Sequence, residues 1–432
     1  MTPAPTSDGE LDPRFHATIR TEQALLGELL HRAIDARTDP APGGPHHRAA
    51  TRSGPAHRNA VAALSHWGLR ASDFLRPYHQ QVYAAMQRLT KASTSIRPHT
   101  VRAELANDPD IPTHLALDGV RLLNLMAAAT AQTDLTSLTA LVLDCSTRRR
   151  VTLWGLRLAE AARSLPDDLF TRPGPPPHAD TVPLLVGDIH VIRHDLHRWR
   201  HRWTRLPIQV RHHLDTTPPP RTDSARTIDA ASTALDTRHR HDTVDLLRHE
   251  VDVVAGIATH TRHLEEIRRW LRPEHFTTRH GRTLFELLLE RTDRGQGIDP
   301  LTLAWMAQRH GLEAVAAQRT LLDALHDGQP WVHDTASRLH AHAVREAAID
   351  TARRIATLAA GPEGPQRLLT GIDHLLIQLL RTAEAGHDSA QRRPAEAARQ
   401  PSRRSRLRTA PPNTPSRSDH GPTVAGRPQP MP

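Results

Sequence analysis

Lysine and cysteine are almost missing from this sequence: Lys91 and Cys145 are the only ones in 432 residues. A single cysteine excludes an intramolecular disulfide and points to a reducing compartment, so a cytoplasmic location is expected. The lone lysine lies in "RLTKAST" with no glycine before it. That excludes the Gly-rich phosphate loop with its lysine, G-x-x-x-x-G-K-[ST], on which P-loop ATPases depend. Aromatic residues are 3% of the chain, and β-branched runs are scarce. Neither a large aromatic core nor a sheet is expected. No apolar stretch approaches the ~18–20 residues of a membrane helix, and the first residues, "MTPAPTSDGELDPRFH", lack a basic and an apolar signal region. No membrane partner is expected.

What is present favours helices. Hydrophobic residues are 38%, dominated by Ala and Leu, and there are 35 prolines. That mixture suggests compact helical parts joined by Pro-rich linkers. The net charge is +9, a sign that suits an acidic partner such as nucleic acid. Its placement is uneven. Residues 388–432 hold nine Arg and three acids, so 9 − 3 = +6 resides in the tail. Lys91 leaves 56 − 1 = 55 arginines, an excess that also fits the coding bias of a GC-rich genome.

Along the chain, residues 1–17 read as disordered. "RTEQALLGELLHRAID" (20–35) reads as a helix with Leu25, Leu26, Leu29 and Leu30 at helical spacing. Residues 38–58 read as a loop insertion within a first helical domain, 18–165. A Pro-rich linker is expected over 166–183, then a hairpin helix in 184–215, where Leu185, Ile189, Ile192, Leu196, Trp199, Trp203 and Leu206 alternate spacings of four and three. Pro207 should break or kink it. A linker over 216–239 precedes a second helical domain, 240–386. Residues 387–432 read as a disordered Arg/Pro-rich tail.

The two domains share a pattern. "ASDFLRPYHQQVYAAM" (71–86) and "PEHFTTRHGRTLFELL" (273–288) place Phe74 with Phe276 and Tyr83 with Phe285, 202 residues apart. The same offset takes Leu69 to Leu271, Ile96 to Ile298 and Pro98 to Pro300. Ungapped correspondence over about thirty residues indicates an internal repeat. The four aromatics are expected as core anchors. Upstream, Gly27 aligned with Gly256 leaves the first copy roughly 27 residues longer, near the size of the loop at 38–58.

"TEQALLGELL", "ASDFLRPYHQQVYAAMQRL", "SIRPHTVRAEL" and, in the second copy, "GIDPLTLAWMAQRHG" resemble the N-terminal domain of DnaB-type replicative helicases. That resemblance implies an all-α fold of two tandem helical-bundle domains, each followed by a helical hairpin. It further implies a non-catalytic interaction module for DNA replication, since the family's heads pair into collars on which primase docks. A replicative helicase, a primase or a second copy would be the partner. Two heads in one chain would supply a head–head pair intramolecularly, at high effective concentration. One departure is Arg97, which stands where the family carries the capping Asp that Asp299 keeps.

Other constellations are weaker. His190, His194, His197 and His201 follow helical spacing, but no Cys or Glu completes a ligand set. "RHEVDVV" lacks the second His of H-E-x-x-H. No metal, cofactor or catalytic residue is therefore expected. Trp199 and Trp203 fall on the apolar stripe, which favours packing over base stacking. Arg200, Arg202 and Arg205 remain as candidate phosphate contacts, together with Arg403, Arg404, Arg406 and Arg408 in the tail. An Arg-rich nucleic-acid-binding regulator that reuses the helical heads is the alternative reading.

Overall fold

The computed structural model describes residues 16–35, 60–108, 119–129, 134–165, 178–216, 243–310 and 332–397. The loop at 38–58 and the tail residues Arg403, Arg404, Arg406 and Arg408 lie outside them. The described residues are helical and hold no strand. In the first copy the helices are α1 (His16–Asp35), α2 (Ala60–His66), α3 (Pro77–Lys91), α4 (Pro98–Ala106), α5 (Gly119–Ala127), α6 (Leu135–Arg163), α7 (His178–Thr204) and α8 (Ile208–Thr216). The second copy has α9 (Thr243–Thr259), α10 (Leu264–Ile267), α11 (Arg279–Asp293), α12 (Pro300–Arg309), α13 (Val332–Ala360) and α14 (Pro365–Ala397). Some sequence boundaries shift. Helix α7 begins at His178, inside the expected linker, and α14 runs to Ala397, ten residues past the expected start of the tail at 387. Pro183 lies inside α7 without ending it. At Pro207 the chain leaves α7 and restarts in α8.

Each head has its own core. Phe74, Tyr83, Leu25, Leu29 and Val82 are buried together in the first. Phe276, Phe285, Val254, Ile257 and Leu284 are buried together in the second. The paired rings lie 5.1 Å apart in the first head and 4.8 Å apart in the second.

One buried carboxylate organises each head. Glu22 on α1 accepts from the Leu75 amide and sits 2.8 Å from His79 Nδ1. Glu250 on α9 accepts from the Thr277 amide at 2.6 Å and from the Thr278 hydroxyl. Leu75 and Thr277 are 202 residues apart, so both carboxylates satisfy the amide just after the anchor phenylalanine. His79 and Gly281 are counterparts too. A Cβ on Gly281 would stand 2.2 Å from Glu250 Oε2, so α11 admits only glycine where α3 carries a hydrogen-bonding histidine. These carboxylates also correct the repeat's upstream register. Glu22 and Glu250 are 228 apart, which aligns Gly27 with Ala255 rather than Gly256.

The hairpins build a third core. Val151, Trp154 and Leu158 of α6, Ile189 and Ile192 of α7, Val344 and Ile355 of α13, and Ile372 and Leu376 of α14 are buried in one cluster. Helices α6 and α13 are both 29 residues long and start 197 apart. Gly155 of α6 lies against Ala352 of α13, its own counterpart: an added Cβ would come within 3.4 Å of the Ala352 carbonyl oxygen. A helix pair that meets counterpart to counterpart is a two-fold arrangement within one chain. The copies are thus joined hairpin to hairpin, through α6 and α13. Among the described elements, it is the hairpin helices rather than the heads that make the main contact between the copies.

Candidate nucleic-acid interface

The junction between the first head and the hairpin bundle carries a dense polar network. Asp73 is buried in the turn before α3. Its Oδ2 accepts the Arg70 amide at 2.7 Å, and its Oδ1 accepts from Ser146 of α6 and from Arg202 Nη1 of α7, each at 2.9 Å. Arg149 donates to the Asp73 carbonyl. His275 is the counterpart of Asp73, and its Nδ1 accepts the Arg272 amide at 3.1 Å. There the resemblance ends. His275 packs edge-on against His340 of α13 with ring centroids 4.9 Å apart. Burial, helped by His340 and Arg272, pulls His275 down to about 3. Burial also lowers His340 to about 4, although the Thr382 carbonyl opposes it. The first junction is ionic and the second is neutral.

Beside Asp73 two depressions of 210 and 360 Å³ adjoin. Arg70, Arg198 and Arg202 line both; Arg149 and Arg150 line the first and Arg205 the second. Asp195 is the one acid on the walls of the first, and the second has none. Asp195 is held by Arg150 at 2.7 Å and by the Trp154 indole at 3.1 Å. Arg70 and Arg198 form no ion pair with any described residue, and Arg205 rests 3.0 Å from His201 Nε2. The groove is an excess of unneutralised guanidinium in a concave surface, which attracts anions.

The structure divides the sequence-selected arginines. Arg200 is paired with Asp373 of α14 at 2.8 Å, and Arg193 reaches the same carboxylate at 3.3 Å. Arg202 is nearly buried against Asp73 and lies 4.7 Å over the Trp199 ring. Both tie helices together. Only Arg205 of the three is exposed with no carboxylate beside it among the described residues. Arg403, Arg404, Arg406 and Arg408 lie outside the described residues. Sequence reasoning missed Arg70 and passed over Arg198. Helical spacing holds the signal for the latter: 193 and 200 share the face toward α14, whereas 198, 202 and 205 share the face toward the groove. Trp203 is buried in the first head's core.

Two further buried groups hold the fold. Arg148 of α6 is buried, pairs with Asp144 at 2.9 Å and donates to the carbonyls of Ala359, Gly361 and Glu363, each at 2.8 Å. Ala359 lies in the last turn of α13, where a cation is favoured, and Gly361 and Glu363 lie in the connection to α14. Burial still raises the Asp144 carboxyl despite Arg148. The Asp299 side chain caps α12 by accepting the Thr302 amide at 2.8 Å. In the first copy, where Arg97 cannot do this, Thr100 Oγ1 instead accepts the Arg97 amide at 2.8 Å.

Residues 59–144 and 245–346 each match the family model of the DnaB-like helicase N terminal domain. The chain is therefore similar to a tandem duplication of that domain, one match in each copy. No curated protein and no solved structure gives a significant match. No helix among the described residues is long and apolar enough to cross a membrane.

Proposed function

We propose that the chain is a non-catalytic interaction module of the DnaB-type replication system, whose heads dock a replicative helicase, a primase or a second copy. The observation that carries this is the match of both heads to the helicase N-terminal domain, on a chain whose one lysine lacks a phosphate loop. The hairpin bundle supports it by presenting two heads from a single covalent unit, which raises the effective concentration of the second head once the first is bound. Sedimentation velocity of the purified chain with the helicase, and separately with the primase, of the same organism tests it. A shared boundary with either, or a self-associated boundary alone, is expected. Independent sedimentation of a monomer in both mixtures overturns it.

The groove favours a second contribution: weak, sequence-independent binding of a nucleic-acid backbone through Arg70, Arg198 and Arg205, with the tail arginines adding to it. Arg200 and Arg202 serve this only indirectly, by holding α7 in place. Each arginine that neutralises a phosphate contributes about 0.7–0.9 to the salt slope. Replacing Arg70, Arg198 and Arg205 with Ala should weaken DNA binding and flatten that slope by about two to three. An unchanged slope assigns the phosphate binding elsewhere.

A further inference from the structure

Sequence motifs gave no complete ligand set, because one of the three ligands stands far from the other two in the chain. The fold brings three together in the second head. His263 ends a short 3-10 turn (Thr261–His263), Glu266 lies three residues on in α10, and His333 opens α13, 70 residues away. His263 Nδ1 and His333 Nε2 face each other at 2.8 Å, with the rings edge to face and centroids 4.6 Å apart. Glu266 Oε2 lies 3.3 Å from the same His333 nitrogen. All three ligand atoms lie within 4.8 Å of one another.

From this geometry we infer that His263, Glu266 and His333 form a binding site for a divalent transition metal ion of the zinc class, which clips the start of α13 to the second head.

Two imidazole nitrogens and a carboxylate oxygen are the donors that zinc, cobalt and nickel accept, whereas calcium and magnesium prefer all-oxygen sets. Ligand atoms about 2.0–2.1 Å from a tetrahedral ion stand about 3.3 Å apart. The Glu266–His333 spacing already meets that, and the His–His pair needs to open by about half an ångström. One ion can be reached at once by His263 Nδ1, Glu266 Oε2 and His333 Nε2. Three protein donors leave a fourth position for water.

The elements make the role structural. His263 and Glu266 stand on the segment that leads into the anchor phenylalanine, and His333 stands at the first turn of the helix that crosses α6. An ion there closes a loop of 70 residues and fixes how the head meets the bundle. The first copy cannot do this. The buried Val61 and Leu64 match the buried Leu264 and Ile267 at an offset of 203, which puts Ala60 and Ala63 where His263 and Glu266 stand, and the counterpart of His333 at the 197 offset is Thr136. The inference is independent of partner docking and of the arginine groove.

The test uses the full chain and zinc sulfate. Because 31 histidines offer weak surface binding, the decisive readout is the difference between variants. Zinc at a hundred times its dissociation constant should raise the folding equilibrium constant about a hundredfold, seen as a higher Tm. Cobalt substitution should give the visible bands of a four-coordinate site, and magnesium should shift nothing. His333→Gln and Glu266→Gln should each abolish the shift and the cobalt bands. Glu266 is 44% exposed, so its variant should keep the metal-free Tm. His194→Gln, on the exposed face of α7, should leave both signals intact. If zinc shifts the wild type and Glu266→Gln equally, or shifts neither, the site does not exist.

Discussion

His275 makes the second head sensitive to acid. In the folded chain burial holds His275 down to about 3, against 6.5 for the free side chain. Between those values the unfolded chain takes up a proton that the folded chain refuses. Stability from this group is therefore complete above pH 6.5 and is lost progressively as the pH falls toward 3, at about 1.4 kcal/mol per pH unit. His275→Asn removes the titration and keeps the cap, since an amide oxygen can accept the Arg272 amide as the Asp73 carboxylate accepts that of Arg70. At neutral pH the variant should be less stable by about 1–3 kcal/mol, because a buried ring is removed from beside His340. Between pH 6 and 4 the wild type should lose about 2–3 kcal/mol more than the variant, so the two curves converge. Glu250, raised by burial, titrates in both proteins and cancels in the difference. Urea unfolding followed by circular dichroism at several pH values measures it. Parallel curves would refute a neutral, desolvated His275.

Phe74→Ala and Phe276→Ala should each destabilise its own head by about 3–5 kcal/mol, since both rings are fully buried; amide exchange should locate each loss in the mutated copy. Arg148→Met should cost about 3–5 kcal/mol in urea unfolding by stranding Asp144 and three carbonyls, and adding Asp144→Leu should recover part of it. The purified chain should hydrolyse no ATP in a coupled assay, with or without DNA, because Lys91 has no phosphate loop around it.

How much of this was readable in the sequence depends on the range of each interaction. The anchors Phe74 and Phe276, the helix-starting prolines and the Asp299 cap are local, and spacing alone exposes them. Glu22 and Glu250 reach amides 53 and 27 residues away, so their common role emerges only when both heads are folded. The hairpin stripes were legible as apolar faces, but not which face would meet which. A heptad-like stripe fixes burial and leaves the partner open. Arg148 finds its carbonyls more than 200 residues downstream, and no local pattern announces it. The arginines of α7 are the opposite case. Their period already separated 193 and 200 from 198, 202 and 205, yet net charge treats all of them alike. The metal ligands combine both difficulties: a legible H-x-x-E at 263–266 and a distant His333.

The central claim is that the heads are docking units, and hydrogen–deuterium exchange of the chain alone and with its bound helicase or primase tests it most directly. Docking through the heads predicts added protection on the surface helices of one or both, within residues 60–106 or 264–309, with the bundle helices α6 and α13 unchanged and the protection retained at high salt. Protection confined to the bundle or to the arginine tail, or a complex that dissolves as salt rises, would contradict it.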